Sequence, residues 1–368
     1  MTEPLARTPL HERHLALGAR TGAFAGWDMP LQYTTPRAEH LAVRERLGVF
    51  DVSHMGQIEV SGPGADAALA HALTNDIDRL VPGRGQYTLM CTDDGGVVDD
   101  LIVYRLADRY LMVVNASNIH ACVERLETVI PAEVEWADRS LEMGMLALQG
   151  RAWRSTLAPL TDAPPASLDL PYFGVAEVDV AGVPCLVARS GYTGEPGVEI
   201  MAPWDGVASV WDALMASDGA PTPAGLVARD TLRLEMGYPL YGQELSRERT
   251  PIEAGLAWAC DLAGGRFAGA EVMRAQRENG IAERLIMIRL TDPGIPRPGC
   301  PVVDPEGDVL GVITSGTLSP TLGAGIGMAY LPAHLAEPGS PVLVDVRGTR
   351  KAAVTAARPL VTTSPKES

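Results

Sequence analysis

The stretch CTDDGGVVDDLIVY, residues 91–104, is the one from which the rest of the chain is best read. Asp94-Gly95-Gly96 is a turn signal, because glycine takes the positive φ angles of tight hairpin turns without steric cost. A strand is expected to leave it. Side chains alternate between the faces of a strand, which puts Val98, Asp100, Ile102 and Tyr104 on one side and Val97, Asp99, Leu101 and Val103 on the other. Each face then carries one carboxylate among apolar neighbours. An unpaired buried carboxylate costs several kcal/mol, so at least one of the two needs a fixed partner, a raised pKa or a ligand to meet. The plainer reading leaves one aspartate in solvent at the strand end and pairs the other with an arginine.

Upstream of this hairpin, Thr8-Pro9 and Thr35-Pro36 each read as a helix N-cap followed by proline at the first helical position, with Gly18 and Gly48 as stops. Residues 49–61 (VFDVSHMGQIEVS) read as one strand, and GPGADAALAHAL then turns into a helix. Gly62, Gly64 and Ala67 nearly match a dinucleotide fingerprint, but no acidic residue follows at the end of a second strand and nothing βαβ-like succeeds it. Downstream come a strand over 110–115 and a helix over about 118–130, where Ile119, Cys122, Val123, Leu126 and Val129 have helical spacing. Five prolines between 131 and 171 mark a seam. Residues 185–203 read as strand, glycine-rich turn, strand, and residues 223–236 as a helix stopped by Gly237. From about Glu283 six short β runs divided by Gly and Pro indicate a separate β-barrel or sandwich. The tail TTSPKES reads as unstructured. Helices interleaved with hairpin-linked strands indicate an α+β fold.

At 368 residues the chain exceeds the size at which single cores stop growing, so two or three domains are expected. A formal charge of −16 argues against nucleic-acid and anionic-membrane surfaces, which are bound by clustered Lys and Arg. The five cysteines are scattered and without a CxxC, as in reduced cytosolic proteins; no run reaches the roughly 18 apolar residues of a membrane span. A cytoplasmic protein is expected. HExxH, Walker A and GxSxG motifs are missing, as is any clustered Cys/His set, so no metal site is expected. What remains are polar residues at strand ends and glycine turns. Glu199 leaves the GYTGEPGVE turn with Val198 and Ile200 facing the opposite way, and reads either as a solvent-facing carboxylate or as a ligand acceptor. Arg229 and Arg233 lie four apart on one helix face with Asp230 within reach of Arg233, the pattern of an ion-paired helix surface. Tyr87, Tyr104, Tyr192, Tyr238 and Trp258 are flat enough to wall a planar ligand, although each taken singly reads as core, as does Met55. His54 reads as a hydrogen-bonded structural histidine.

Taken together, FAGWDMPLQY (24–33), FDVSHMG (50–56), GGVVDDLIVY (95–104), ARSGYTGEPGVEI (188–200), PAGLVARDTLRLE (223–235), LYGQEL (240–245), GLAWA (255–259) and TSGTLSPTLGAGIGMAY (314–330) resemble the T-protein (aminomethyltransferase) family of the glycine cleavage system. The resemblance runs from about Thr8 to about Pro359. It implies a three-domain clover-leaf with tetrahydrofolate in a central hole: residues 1–50 with about 142–245, about 51–141 with 246–280, and a C-terminal barrel over about 281–364. It also implies transfer of the aminomethyl carbon from the dihydrolipoyl arm of a partner H-protein to tetrahydrofolate, giving 5,10-methylenetetrahydrofolate and ammonia. The family's key aspartate matches Asp100. Its pterin-binding Glu and Arg match Glu199 and Arg229, and Met55, Tyr87, Ile102, Tyr104, Asn115, Tyr192, Tyr238 and Trp258 fall at matching or nearby pocket positions. Where many relatives read TGEDG this chain has TGEPG, so Pro196 is expected to stiffen the turn ahead of Glu199. Two neighbouring readings share the resemblance: a folate-dependent demethylase of a small molecule, and a non-enzymatic folate-binding protein of the iron–sulfur repair type. The latter's marker cysteine is absent before Gly242-Gln243-Glu244.

Overall fold

A computed structural model describes residues 4–162 and 164–363; most of the tail that reads as unstructured lies outside them. Two large sheets, a two-stranded ribbon (Arg20–Phe24 with Trp27–Gln32) and one closed barrel organise the described residues. The first sheet has six strands, ordered Val175–Val180, Val183–Ala188, Gly197–Pro203, Met143–Gln149, Gly48–Asp51 and Thr222–Pro223. The second has five, ordered Arg84–Cys91, Val97–Arg105, Arg109–Val114, Gly56–Ser61 and Glu135–Asp138. Six strands between Glu283 and Ala356 close into the barrel, which decides between the barrel and sandwich readings.

The stretch read as one strand over 49–61 is two strands in different sheets. Ser53, His54 and Met55 form the turn between them, where the Met55 N–H donates to the Val52 carbonyl at 3.0 Å. A continuous apolar run shows where backbone is extended, not which neighbours it will take. The near-dinucleotide junction is likewise resolved: the Gly56–Ser61 strand pairs antiparallel on both sides, with none of the parallel crossover a nucleotide fold requires.

The Thr35 and Gly237 signals translated directly, whereas Gly48, read as a helix stop, opens a strand and the helix before it ends at Glu45. The Thr35 hydroxyl accepts from the Ala38 N–H with Pro36 at the first position, and Gly237 closes the Leu226–Met236 helix at φ +69°. The first helix begins only at His11, Thr8 forming the preceding turn.

Apolar side chains from the facing sides of the two sheets (Phe50, Val52, Met145 and Ala147 against Tyr104, Leu111 and Val113) form a shared core capped by Ala228 and Leu232 of the Leu226–Met236 helix. The opposite face of that helix meets the barrel through buried ions. Arg233, expected on a helix surface, is buried, donating to Glu244 at 3.0 Å, Asp230 at 2.8 Å and the Ser315 hydroxyl at 2.7 Å.

Two residues further along, Glu235 accepts from Arg44 at 2.9 Å, Ser319 at 2.5 Å and Thr321 at 3.0 Å, and His40 approaches to 3.3 Å. Burial by itself raises the Glu235 pKa, but these donors, His40 foremost, outweigh it and hold the carboxyl down at about 2. Since an unfolded glutamate titrates at about 4.3, the network's contribution is complete above that pH and is lost as pH falls toward 2. In Glu235→Gln the acid limb of the melting-temperature profile between these two values is therefore expected to flatten; an unchanged limb would contradict the assignment.

Candidate functional site

The hairpin turns as its glycines require. Gly95 has φ +89°, and a side chain on Gly96 would meet the Arg247 carbonyl at 1.9 Å, because the Val97 N–H donates to the Ser246 and Arg249 carbonyls across that contact. The strand that leaves is bulged: Met90 pairs with Asp99 and Cys91 with Val97, so Val98 is an extra residue. The bulge reverses the expected placement of the two valines. Val97 packs with Leu89 and Cys91, while Val98 packs with Leu101 and Val103. Beyond the bulge alternation holds, with Asp100, Ile102 and Tyr104 on one face and Asp99, Leu101 and Val103 on the other.

Neither carboxylate is paired with an arginine among the described residues. Asp100 is half-buried, and its Oδ2 accepts the Tyr87 hydroxyl at 2.9 Å while Oδ1 accepts from Asn115 Nδ2 at 3.0 Å. Burial raises its pKa, partly offset by these two donors. Tyr87 in turn stacks on Trp258, with ring centroids 5.3 Å apart and planes 25° from parallel. Trp258 is 65% exposed, so it forms the rim of this cluster rather than its floor.

The second cluster lies along the same strand face. Tyr104 donates its hydroxyl to Ser190 at 2.9 Å, and Ser190 donates to Glu199 Oε2 at 2.5 Å. Asp100 and Tyr104 are four residues apart, about 13 Å along the strand. Glu199 is only 6% exposed, which removes the solvent-facing reading; Val198 and Ile200 point into the opposite core as expected. Burial raises the Glu199 pKa, and the charge of Arg229 and the Ser190 bond oppose the rise. Arg229 sits with its guanidinium 5.1 Å from the Tyr192 ring centre and 6.0 Å from that of Phe50, and its buried Nη1 has no hydrogen-bond partner among the described residues. A buried guanidinium N–H without an acceptor is costly, and an acceptor on a ligand relieves the cost. Tyr192 stacks on Tyr238 at 5.7 Å and is held by its hydroxyl bond to the Pro239 carbonyl at 2.5 Å. Met55 and Ile102 border the core between the sheets. The two clusters sense one another: the Asp100 charge helps drive the Tyr192 pKa upward, after burial and against the charge of Arg233.

Two participants escape a reading of the sequence, and a third is read differently. Ser190 bridges Tyr104 and Glu199, and finding it requires the 188–199 pairing of the hairpin. Asn118 donates to Asp99 at 2.6 Å; the signal was the NASN run at 115–118, two amides three apart at a helix start. His54 is buried with Nδ1 unpartnered among the described residues, unlike the hydrogen-bonded histidine expected, and lies edge-on to Phe24 at 5.4 Å. Burial lowers its pKa to about 4, and Arg229 adds to the effect, so it is neutral at physiological pH.

Residues 10–264 match the GCVT N-terminal domain and residues 283–361 the glycine cleavage T-protein C-terminal barrel domain. The chain is 46% identical to the aminomethyltransferase of Frankia alni over 361 residues, covering 96% of this chain and 97% of that one. It is 46% identical to the aminomethyltransferase of Geobacillus kaustophilus over 350 residues, 94% and 96% of the two chains. The crystal structure of glycine cleavage system aminomethyltransferase T from Bartonella henselae superposes with a TM-score of 0.91 at 34% identity, covering 97% of this chain and 98% of that one.

Proposed function

The chain belongs to the glycine cleavage T-protein family, and from that premise we propose that it is the aminomethyltransferase that moves a one-carbon unit from the dihydrolipoyl arm of a lipoylated H-protein to tetrahydrofolate. Two bonds of the carried carbon break, to the lipoyl sulfur and to the amino nitrogen, and two form, to N5 and N10 of the folate. The two protons lost from those nitrogens balance the thiol and the ammonia released. The products are 5,10-methylenetetrahydrofolate, ammonia and the reduced arm.

The observation that carries this reading is a half-buried, donor-held carboxylate, Asp100, on the strand face whose Tyr104 reaches through Ser190 to the buried Glu199, a carboxylate that also feels the charge of Arg229. A pterin edge displays adjacent N–H donors that Glu199 accepts as a pair, while the orphaned Arg229 Nη1 supplies a donor to a ring carbonyl or carboxylate. The Tyr192–Tyr238 stack and Met55 wall the plane, and Ile102 and Tyr104 floor it. Asp100, oriented by Tyr87 and Asn115, positions the folate nitrogens for attack and handles the proton as ammonia leaves. Trp258, exposed above Tyr87, borders the entrance for the carrier's arm.

The expected modular division, residues 1–50 with about 142–245 and about 51–141 with 246–280 beside the barrel, is supported by the membership of the two sheets. The setting we assign is the cytoplasm. All five cysteines are unpaired, and no helix among the described residues is long and apolar enough to cross a membrane.

Ammonia release from aminomethylated H-protein, measured with and without tetrahydrofolate, tests the proposal. Release that depends on folate and yields methylenetetrahydrofolate is expected. Folate binding with no folate-dependent release would overturn the transferase reading.

A further inference from the structure

Asp99 has no part in the chemistry above, yet it is the more enclosed of the two carboxylates, 0% exposed. Its Oδ1 accepts from Asn115 Nδ2 at 2.8 Å and Asn118 Nδ2 at 2.6 Å, and its Oδ2 from the Asn115 backbone N–H at 2.9 Å and the Cys122 thiol at 3.6 Å. All four of these neighbours are donors. A proton on Asp99 would have to displace one of them, whereas the anion satisfies all of them, so this pocket is built for the charged form. The Asn115 amide is shared, since the same Nδ2 reaches both Oδ1 and the backbone carbonyl of Asp100 at 3.0 Å.

We propose that Asp99 is the ionised positioning residue of the pair, clamping Asn115 against Asp100 and, as a like charge one residue away, keeping the pair's exchangeable proton on Asp100. The proposal rests on the reading of Asp100 given above and adds the source of its proton-carrying state. Two carboxylates this close and this buried resist simultaneous ionisation; burial pushes both upward, and at Asp99 the charge of Asp100 adds to the rise while the amide donors oppose it. Asp100, half-buried and held by fewer donors, is the one that yields. The other titratable groups around the pair are Tyr87, Tyr192, Tyr241 and Cys122, all driven upward chiefly by burial and so silent near neutral pH. The cations on that side, Arg229, Arg233 and Arg247, act on Tyr192 and Tyr241, and none forms an ion pair with either aspartate among the described residues.

The test is a carboxyl-carbon NMR titration of the full chain labelled at aspartate, alongside the pH profile of folate-dependent ammonia release. A resonance titrating near neutrality is expected to vanish in Asp100→Asn. In Asp99→Asn it is expected to move down by about one to two pH units, the effect of removing a like charge at this range, with the activity profile moving the same way and the KM for folate within about twofold. A purely structural role would lower turnover without moving either titration, which would overturn the proposal. So would a neutral-range resonance lost in Asp99→Asn and retained in Asp100→Asn. Where Asp99→Asn does not fold, Asn118→Ala, which removes one donor from the Asp99 anion and so lets the proton spread toward Asp99, is expected to move the titration slightly up and to bring a second aspartate resonance into it; a downward shift there is equally fatal. Near-normal turnover in Asp100→Asn would instead reject the reading of Asp100 on which the proposal stands.

Discussion

Asp100→Asn is expected to fold and to bind folate nearly as the parent protein does, while turnover falls by about 10²–10⁴-fold, the usual range for loss of a general acid–base group. The geometry separates the two effects. Asparagine keeps the size and polarity of the half-buried side chain, and its amide oxygen accepts from Asn115 Nδ2 as Oδ1 does now. The Tyr87 hydroxyl, which now donates at 2.9 Å, becomes an acceptor for the new amide N–H. What asparagine cannot do is take up and return a proton. Pterin recognition stays with Glu199 and Arg229 at the other end of the face. Single-turnover ammonia release with a parallel folate titration checks both halves, and turnover within a few-fold of the parent would remove Asp100 from the chemistry.

The second large effect is expected at the far end. Glu199→Gln keeps the side chain's volume but replaces a charged double acceptor with one acceptor and one donor, so one pterin N–H faces another N–H. It also leaves Arg229, already buried with an unpartnered Nη1, without the carboxylate charge beside it. Hydrogen bonds to charged groups are worth about 1.5–3 kcal/mol, which corresponds to a folate Kd raised roughly 10–150-fold. The KM for the aminomethylated carrier is expected to stay nearly unchanged, because the entrance proposed for the arm is at the Trp258 end. Equilibrium folate binding by fluorescence, with the carrier KM measured at saturating folate, decides the matter. An unaltered Kd would mean that Glu199 does not read the pterin.

Much of the site was legible because its chemistry is local. Strand alternation beyond Gly96 separated Asp99 from Asp100 and grouped Asp100 with Ile102 and Tyr104. The Thr35-Pro36 start and Gly237 stop bounded their helices, and six short β runs announced a separate barrel or sandwich, which the tertiary structure closes as a barrel. The misreadings have two causes: a deciding partner far away in sequence, and a bulge in the local hairpin that alternation along one strand does not show. Arg233 has a surface pattern on its own helix, but Glu244 and the barrel's Ser315 bury it. Val97 and Val98 exchange faces because strand 84–91 pairs across a bulge.

What the amino-acid order determined by itself was therefore the set of elements and the identity of the chemical groups: a glycine-turned hairpin bearing two aspartates, a glutamate leaving a glycine-rich turn, an arginine on a capped helix. Only the tertiary structure decided their states. It enclosed Asp99 in donors while leaving Asp100 half-open, buried Glu199 behind Ser190, and left Arg229 without an acceptor. The physical reason is that period and propensity act through neighbours along the chain. Burial and hydrogen bonding set whether a carboxylate holds its charge, and they act through neighbours in space.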